Sequence, residues 1–410
     1  MGDIEKESGE KSPEDRSDKK DSKKGKNEKP KGPKPLKVKK QEYKVWDTPS
    51  LLVTSSPHVL NTDSVEKVMW SVFLVLVPAA LWGIFHFAFD FNIDYLSGSL
   101  QINYKDINDS WLGHLFTSAP FLNIVVSIIA CMATEAMVNV FRKQKLSMMD
   151  GSAAVTGILL GMTLPPEVPL FIPIISSIFT ISIVKHLFGG LGGNFLNPAL
   201  AGRVFAMVAW PGIMYTQDYY LTSPADTKTG ATALEFMKKY IASDPGAAGG
   251  NVDPHVVYSW YDQLIGNIGG SIGEVSAILL LLGAIYLFIK KYITWEIPVI
   301  YIATVFIFTF IIGGKETYFD LSYALYHVLS GGLILGALYM ATDMVTCPLT
   351  SRGQLVFGAS LGLLTVFIRV YGGYPEGVAF SILILNLFTP LIDRVTMPRI
   401  FGHKAKKGTS

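Results

Sequence analysis

The strongest constraint on this fold is a series of apolar runs separated by short polar turns. Residues 65–89 and 119–141 are each long enough to cross a bilayer, which takes about 20 helical residues. Shorter apolar runs, broken by Gly and Pro, cover residues 150–164, 168–187, 197–210, 271–289, 297–312, 326–341, 354–370 and 377–392. Because lipid offers the backbone no hydrogen bonds, we expect these runs to be helical. The sequence therefore predicts an all-α polytopic membrane protein with about ten transmembrane helices.

Charge is concentrated at the N-terminus. Charged residues make up only 17% of the chain, against roughly 25% in an average soluble protein. Residues 1–40 hold much of that charge and almost no apolar side chain. Such a segment cannot bury enough surface to offset its chain entropy, so we expect it to be disordered.

Lys and Arg predict the orientation, because they favour cytoplasmic loops. With the Lys-rich N-terminus in the cytoplasm, the basic positions Arg142, Lys185, Lys290 and Arg352 and the C-terminal tail fall on that side. The polar loop 212–266 then lies outside. We divide the chain into a Lys-rich cytoplasmic tail (1–47), a first membrane repeat (48–211), an extracytoplasmic loop (212–266), a second membrane repeat (267–393) and a basic cytoplasmic tail (394–410).

An internal echo links the two halves. The motif Gly-Ile-Leu-Leu-Gly at 157–161 precedes Pro165-Pro166, and Gly-Leu-Ile-Leu-Gly at 332–336 precedes Cys347-Pro348. We interpret the echo as two inverted five-helix repeats with broken or re-entrant segments. In transporters, that architecture places binding sites near the midplane, where broken helices free backbone groups. Chance similarity in apolar sequence is the alternative.

Three carboxylates in or near the apolar runs are candidates for an ion path. An ionised side chain at the centre of a span costs at least ~2.5 kcal/mol on insertion scales, so such residues are rare and functional by default. Glu135 lies in the second run, Asp343 at a helix break, and Asp393 at the end of the last run. The alternative is a structural ion pair: Glu135 with Arg142 or Lys143, or Asp393 with a nearby arginine.

The Gly-rich turn at 187–200 carries two amides, Asn194 and Asn197, followed by Arg203. Amides beside open backbone can hydrogen-bond the edge of an aromatic ring system, and Arg203 can bind an anion. No Gly-Lys-Ser/Thr follows, so this is not a phosphate loop. The alternative is a helix break held by asparagine caps.

The most specific motif is Asp-Thr-Lys-Thr-Gly-Ala-Thr at 226–232, in the polar loop. Gly230 and Ala231 leave the backbone accessible, and the Thr232 hydroxyl can serve as a covalent attachment point. Asp226 and Thr229 complete the motif. The alternative is a turn that caps a helix at 233–241.

Several motifs together resemble the RnfD/NqrB family, over nearly the whole chain after the tail, and the fit is better to the RnfD branch. They are Ser-Ser-Pro-His at 55–58, Asp-Gly-Ser at 150–152, Leu-Pro-Pro at 164–166, Gly-Gly-Asn at 192–194, Asn-Pro-Ala at 197–199, the 226–232 motif, residues 341–354 and Tyr-Gly-Gly-Tyr-Pro-Glu-Gly at 371–377. The long Lys-rich N-terminus departs from the usual RnfD start and is closer in length to that of the quinone-linked branch.

The resemblance implies a membrane component of a redox-driven Na⁺ or H⁺ pump, a translocase that moves electrons between ferredoxin and NAD⁺. Asp-x-x-Thr-Gly-Ala-Thr is similar to the signature at which an extracytoplasmic flavin transferase esterifies FMN to Thr232. A non-covalent riboflavin near Asn194 and Asn197 is also implied. The resemblance further implies iron–sulfur, NAD-binding and FMN-bearing subunits as partners, in a prokaryotic cytoplasmic membrane. The cysteine count agrees with the first of these, because the chain has two cysteines and an iron–sulfur cluster normally takes four.

Two other functions remain open. One is that of the NqrB branch, a membrane component of a Na⁺-translocating NADH:quinone oxidoreductase, which shares the family. The other is a urea-channel-like transporter without a redox role, because inverted repeats with a Gly-rich midplane fit that class as well. The motif at Thr232 separates the redox functions from the channel.

Overall fold

The computed structural model describes residues 63–89, 91–94, 99–102, 111–143, 150–214, 234, 260–266, 270–313, 319, 321–373 and 376–398. Within these ranges the chain is helical apart from turns and one antiparallel β-hairpin, β1 (Phe91–Asp94) with β2 (Ser99–Ile102). The hairpin corrects the all-α prediction locally. Its strands alternate apolar and polar residues, and Phe91 pairs with Ile102. That period of two is typical of a strand.

The described residues of the first half, up to residue 214, form seven helices. They are α1 (Val65–Ala88), α2 (Trp111–Thr117), α3 (Ala119–Phe141), α4 (Ser152–Thr163), α5 (Phe171–Phe179), which continues as a π-helix (Thr180–His186), α6 (Pro198–Ala209) and α7 (Pro211–Met214). The bounds of α1 and α3 to α6 follow the predicted apolar runs closely, whereas α2 and α7 lie outside those runs. The Gly-rich turn between the π-helix and α6 interrupts the helical path as predicted.

The described part of the second half is also helical, with one sharp bend. Its helices are α8 (Trp260–Ile265), a 3₁₀ turn (Ile272–Glu274), α9 (Ala277–Ile289), α10 (Glu296–Ile312), α11 (Leu321–Leu329), α12 (Leu333–Leu335), which continues as a π-helix (Gly336–Met340), α13 (Ser351–Tyr371) and α14 (Val378–Thr396). The axes on either side of residues 330–332 are bent by 61°.

Side-chain caps fix where several helices begin. The Ser64 hydroxyl accepts from Lys67 N–H at 3.2 Å to start α1. Asn197 accepts from Leu200 N–H at the start of α6, and Thr350 accepts from Gly353 N–H at the start of α13. Each cap satisfies a backbone donor that has no partner within its own helix. Polar caps therefore mark the boundaries of apolar helices.

Four helices among the described residues are long and apolar enough to cross a membrane: α1, α3, α13 and α14. A fifth is added if α11 and Leu333–Met340 form one bent span. Five further apolar helices have 10 to 17 residues each. A multi-pass helical membrane protein is thus confirmed, whereas the count of ten remains a prediction.

Two short helices lie at the centre of the fold. Every residue of α4 is buried, and so is every residue from Leu333 to Met340. Each begins at a left-handed glycine, Gly151 (φ 74°) or Gly332 (φ 65°). The two similar motifs, at 157–161 and 332–336, nevertheless occupy different positions relative to these helices. Gly157 lies within α4, where a Cβ would come 2.6 Å from Ile128 Cα, whereas Gly332 caps α12.

Candidate functional site

The motif at 226–232 lies outside the described residues, so Asp226, Thr229, Gly230, Ala231 and Thr232 remain predictions. Between residues 215 and 259 the structure describes Leu234 alone. Its side chain is buried, with 3% exposure, and it packs against Gly331 at the bend between α11 and α12.

A buried ionic cluster joins α3, α4 and the first π-helix. Lys185 Nζ lies 2.7 Å from Glu135 Oε1 and donates to the Ser152 hydroxyl at 2.6 Å. Asp150 accepts from the Ser152 hydroxyl at 2.8 Å, and His186 Nε2 lies 3.7 Å from Glu135 Oε1. We call these five residues the lysine cluster. Glu135 is therefore paired, with a partner 50 residues away in sequence rather than with Arg142 or Lys143.

The lysine cluster opens onto a cavity between the two halves of the helical fold. This cavity encloses an empty volume of about 840 Å³, its open mouth included. Lys185 and Ser152 form part of its wall, with Asn194, Asn197 and Asp343 elsewhere in the lining. The remaining wall is mostly apolar and comes from α1, α4, α9 and the second π-helix. The structure thus brings three sequence-predicted site residues together and adds Lys185.

The two asparagines use their amides to hold the turn. Asn197 caps α6 and donates to the Met340 carbonyl at 3.0 Å, which ties the first half of the fold to the second. Asn194 donates to the Leu196 carbonyl at 3.1 Å. The cap interpretation therefore describes Asn197. Asn194 also lines the cavity. Among the described residues, the hydrogen bond of its side chain uses the amide nitrogen, and the carboxamide oxygen accepts none.

Asp343 follows the second π-helix, where the chain leaves helical geometry. Its carboxylate accepts from Val345 N–H at 3.4 Å and from the Thr346 hydroxyl at 3.3 Å. Burial raises the pKa of Asp343, although both hydrogen bonds act in the opposite direction. No basic side chain within the described residues forms an ion pair with it. The group is therefore a carboxylate with spare oxygen lone pairs beside a cavity.

Asp393 has a different environment. On the last helix, α14, it accepts from Leu349 N–H at 3.0 Å, an exposed contact that ties α14 to the turn after Asp343. This hydrogen bond gives Asp393 a structural role at the end of α14. Its proposed place on an ion path stays a prediction.

A second buried ionic cluster surrounds Arg203. The guanidinium on α6 lies 3.5 Å from Glu274 Oε1 and forms an ion pair with Glu376 as well. Arg203 thus binds two carboxylates of this chain, and these are the anions that the described residues place beside it. Glu274 belongs to the 3₁₀ turn before α9, and Glu376 directly precedes α14. The contacts join three distant segments.

Arg369 extends this cluster. From α13 its guanidinium donates to the carbonyls of His327, Ser330 and Gly331, where α11 ends. It also interacts electrostatically with Glu274 and Glu376. We call Arg203, Arg369, Glu274 and Glu376 the arginine cluster. Sequence reasoning missed Arg369 as a site residue, although an arginine within the apolar run 354–370 was an available signal.

Comparison with known proteins assigns the family. The profile described as the NQR2, RnfD, RnfE family matches residues 52–402. The chain belongs to this family. The match covers both membrane halves and the polar loop between them, so the resemblance drawn from the motifs is confirmed.

Curated relatives agree with the RnfD branch of the family. The chain is 41% identical to the D subunit of the proton-translocating ferredoxin:NAD⁺ oxidoreductase complex of Clostridium ljungdahlii, over 86% of this chain and 96% of the relative. It is 37% identical to the Na⁺-translocating counterpart from Acetobacterium woodii, over 87% and 98%. The corresponding D subunit of the ion-translocating oxidoreductase complex of Stutzerimonas stutzeri is 34% identical, over 84% and 94%.

Proposed function

We propose that this chain is the membrane-embedded D subunit of an ion-translocating ferredoxin:NAD⁺ oxidoreductase and that it carries electrons through FMN esterified to Thr232. The observation that carries the first part is the near-complete coverage of relatives with that name, 96% and 98% of their length. Iron–sulfur, NAD-binding and FMN-bearing subunits of the same complex are the partners this function requires.

The motif at 226–232 supports the flavin site. Asp-x-x-Thr-Gly-Ala-Thr ends in a hydroxyl that can form a phosphoester, and Gly230 and Ala231 leave the backbone open to a modifying flavin transferase. A flavin bound there supplies one- and two-electron chemistry that no side chain of this protein can supply.

In-gel flavin fluorescence of the denatured complex tests this assignment. The band that contains this chain is expected to fluoresce, and Thr232→Ala is expected to abolish the signal, because Ala lacks the hydroxyl. Thr229→Ala is the matched control, since it removes a neighbouring hydroxyl of the same motif. A fluorescent Thr232→Ala band would refute attachment at Thr232. Loss of the signal only in Thr229→Ala would place the attachment at Thr229 instead.

The cavity beside the lysine cluster suits the second, non-covalent flavin. Its lining combines apolar side chains with a few polar ones, Ser152, Lys185 and Asn194 among them, as is typical of small-molecule sites. An apolar wall with a few polar groups matches the surface of an isoalloxazine ring, and Asn194 offers a carboxamide oxygen as an acceptor. Riboflavin released on denaturation, with a yield that falls in a cavity-filling Leu159→Phe variant, is the expected result.

An ion path through this region is the role we propose for Glu135 and Asp343. Hard carboxylate oxygens beside freed backbone carbonyls suit Na⁺, and the same carboxylates can carry a proton. The two relatives named above are described as translocating H⁺ and Na⁺ respectively. Membership of the family therefore leaves the coupling ion open, and a Na⁺ titration of turnover would decide it.

The proposed orientation has both termini in the cytoplasm of a prokaryote and Thr232 outside. Its support is the distribution of Lys and Arg. An impermeant maleimide added to whole cells should label Lys228→Cys and should not label Lys406→Cys. The opposite labelling pattern would contradict the orientation and the outside location of the flavin.

We also propose that the fold is two inverted repeats with ten crossings. Support comes from the two fully buried short helices, α4 and Leu333–Met340, each of which starts at a left-handed glycine. Two further contacts pair the halves, α1 with α9 and α6 with α14.

A role in the quinone-linked complex remains the second candidate, because the matching family includes both branches. Reduction of NAD⁺ by ferredoxin in the purified complex, without added quinone, supports the first proposal. A complex that oxidises NADH with quinone and has no ferredoxin activity would support the second. A channel without flavin would show neither activity.

A further inference from the structure

The lysine cluster contains a buried carboxylate oxygen that its ion pair does not use. Glu135 is 2% exposed, and Lys185 Nζ lies 2.7 Å from its Oε1. Among the described residues, Glu135 Oε2 has no hydrogen bond, and neither ring nitrogen of the adjacent His186 has one. A buried acceptor without a donor is destabilising. Glu135 therefore has capacity for a cation contact beyond the one that Lys185 makes.

Two side-chain oxygens of the described residues hold the Lys185 ammonium. Nζ donates to Glu135 Oε1 at 2.7 Å and to the Ser152 hydroxyl at 2.6 Å, which uses two of its three N–H donors. Lys185 belongs to the π-helix Thr180–His186, and π-helical segments frequently occur at functional sites. Because Lys185 also lines the cavity, the ammonium has space into which it can withdraw.

A second carboxylate lines the same cavity as Lys185. Asp343 forms part of the wall, and no basic side chain among the described residues is ion-paired with it. An ammonium is a compact charge on a flexible stem, so it changes partners more readily than a guanidinium does. Lys185 therefore has an alternative anion on the cavity wall when it leaves Glu135.

We propose that the Lys185 ammonium is a resident cation that Na⁺ displaces from Glu135, so that Lys185 and Na⁺ alternate at one site. The proposal rests on the ion path in the proposed function. The displaced ammonium withdraws into the cavity on the side of Asp343, and its return to Glu135 expels the Na⁺. Only ionic contacts and hydrogen bonds are exchanged in this step, and no covalent bond forms or breaks.

The site fits a monovalent ion better than a multivalent one. The oxygens of Glu135 and Ser152 already surround the ammonium, and hard cations prefer oxygen ligands. Among the described residues, no three His, Cys, Asp or Glu side chains form a metal-binding group. With His186 neutral, Glu135 and Asp150 carry two negative charges against the one positive charge of Lys185, so the cluster can take one further monovalent cation.

Thermal melting of the purified complex in NaCl, compared with choline chloride at equal ionic strength, tests the exchange. Lys185→Met removes the competing cation and leaves the Glu135 carboxylate in place. Na⁺ should then raise the melting temperature at concentrations at least about tenfold below those that affect the wild type, because a ligand that binds the folded state stabilises it. Equal melting of Lys185→Met in the two salts would refute the exchange.

Two control variants locate the response. Lys185→Met combined with Glu135→Gln lacks the carboxylate and should lose the added response to Na⁺. Lys290→Met replaces an exposed lysine that follows α9 and should melt as the wild type does in both salts. A Na⁺ response that persists with Gln at position 135 would place the ion elsewhere in the complex and refute the proposal.

Lys185→Arg tests the same exchange if Lys185→Met does not assemble. It keeps the positive charge, but a guanidinium forms several fixed hydrogen bonds and is harder to displace. We expect the Na⁺ concentration for half-maximal turnover to rise at least about tenfold, since the ion must compete with a stronger rival. A lysine with a structural role alone would change the amount of assembled complex and leave that concentration unchanged, and this result would refute the exchange.

These outcomes are separable from failure of the proposed function. A wild-type complex that reduces NAD⁺ with ferredoxin, while Lys185→Met shows no response to Na⁺, refutes the exchange and leaves the function standing. A wild-type complex without ferredoxin activity refutes the function, and the melting comparison still reports whether Na⁺ replaces Lys185 at Glu135.

Discussion

The lysine cluster and the arginine cluster bury similar charges in different ways. In the lysine cluster, a single ammonium on Lys185 contacts Glu135 and Ser152 and also faces a cavity of about 840 Å³. In the arginine cluster, Arg203 bridges two carboxylates, and Arg369 binds three carbonyls at the end of α11. The first cluster lies beside open space and the second is tied to backbone.

This difference separates two uses of buried charge. A guanidinium is a rigid fork whose several donors fix the groups around it, whereas an ammonium is a compact charge whose partners exchange easily. The arginine cluster therefore suits a structural role, because it holds distant segments together beside Gly331. The lysine cluster suits a region where the charge changes, such as a cavity that takes an electron or an ion.

The largest effect is expected from Arg203→Met. This change leaves Glu274 and Glu376 without the cation between them, and breaking a buried ion pair in this way costs about 3–5 kcal/mol. We expect little assembled protein in membranes and a lower melting temperature of what remains. Arg352→Met on α13, an exposed arginine, should have no measurable effect. Normal assembly of Arg203→Met would contradict the structural role of the arginine cluster.

The next effect tests the lysine cluster. Lys185→Met leaves the Glu135 carboxylate buried with its cation removed, and we expect a loss of about 3 kcal/mol in stability. The double variant Lys185→Met with Glu135→Gln should recover most of this loss, because no uncompensated charge remains. Thermal melting of the wild type, both single variants and the double variant measures the coupling. If Lys185→Met and the double variant melt together, Lys185 and Glu135 do not act as a pair.

Asp343→Asn should change function more than stability. We expect assembly and covalent FMN to stay normal while turnover needs more Na⁺, or slows if the ion is H⁺, because an amide is a poor cation ligand. In the wild type, the raised pKa of Asp343 means that the carboxylate is protonated at a higher pH than an ordinary aspartate. The Na⁺ requirement should therefore rise as the pH falls towards that pKa. Wild-type ion dependence in Asp343→Asn would remove this residue from the path, and Glu135→Gln is tested in the same assay.

The smallest effect is expected from Asp393→Asn. Its contact with Leu349 N–H is exposed, and the amide oxygen of Asn can still accept that hydrogen bond. We expect a change in stability below about 1 kcal/mol and turnover close to that of the wild type. A clear loss of ion-coupled turnover would place Asp393 on the ion path. It would also show that the exposure of the Asp393 contact does not predict a small effect on function.

The helices could be predicted from sequence because apolar length and polar caps are local signals. Ser64 and Asn197 mark helix starts through side chains a few residues from their backbone partners. The hairpin at 91–102 was missed because the loop was interpreted by its polarity and not by its alternation. Its period of two lies within eight residues and was visible in the sequence.

The partners of the buried charges were not predictable in the same way. Lys185 and Glu135 are 50 residues apart, and Arg203 and Glu376 are 173 residues apart. No local pattern couples such positions, since tertiary packing alone brings them together. Gly331 gives a similar lesson. Its neighbour Leu234 comes from the polar loop, where one leucine carries no periodic signal.

Intact-mass and peptide mass spectrometry of this chain from the purified complex test the central claim most directly. We predict a mass that exceeds that of the unmodified chain by one FMN less one water, with the added group on the peptide that contains Thr232. Thr232→Ala should have the mass of its unmodified sequence. A wild-type chain without the added mass, or a Thr232→Ala chain that retains it, would contradict the account.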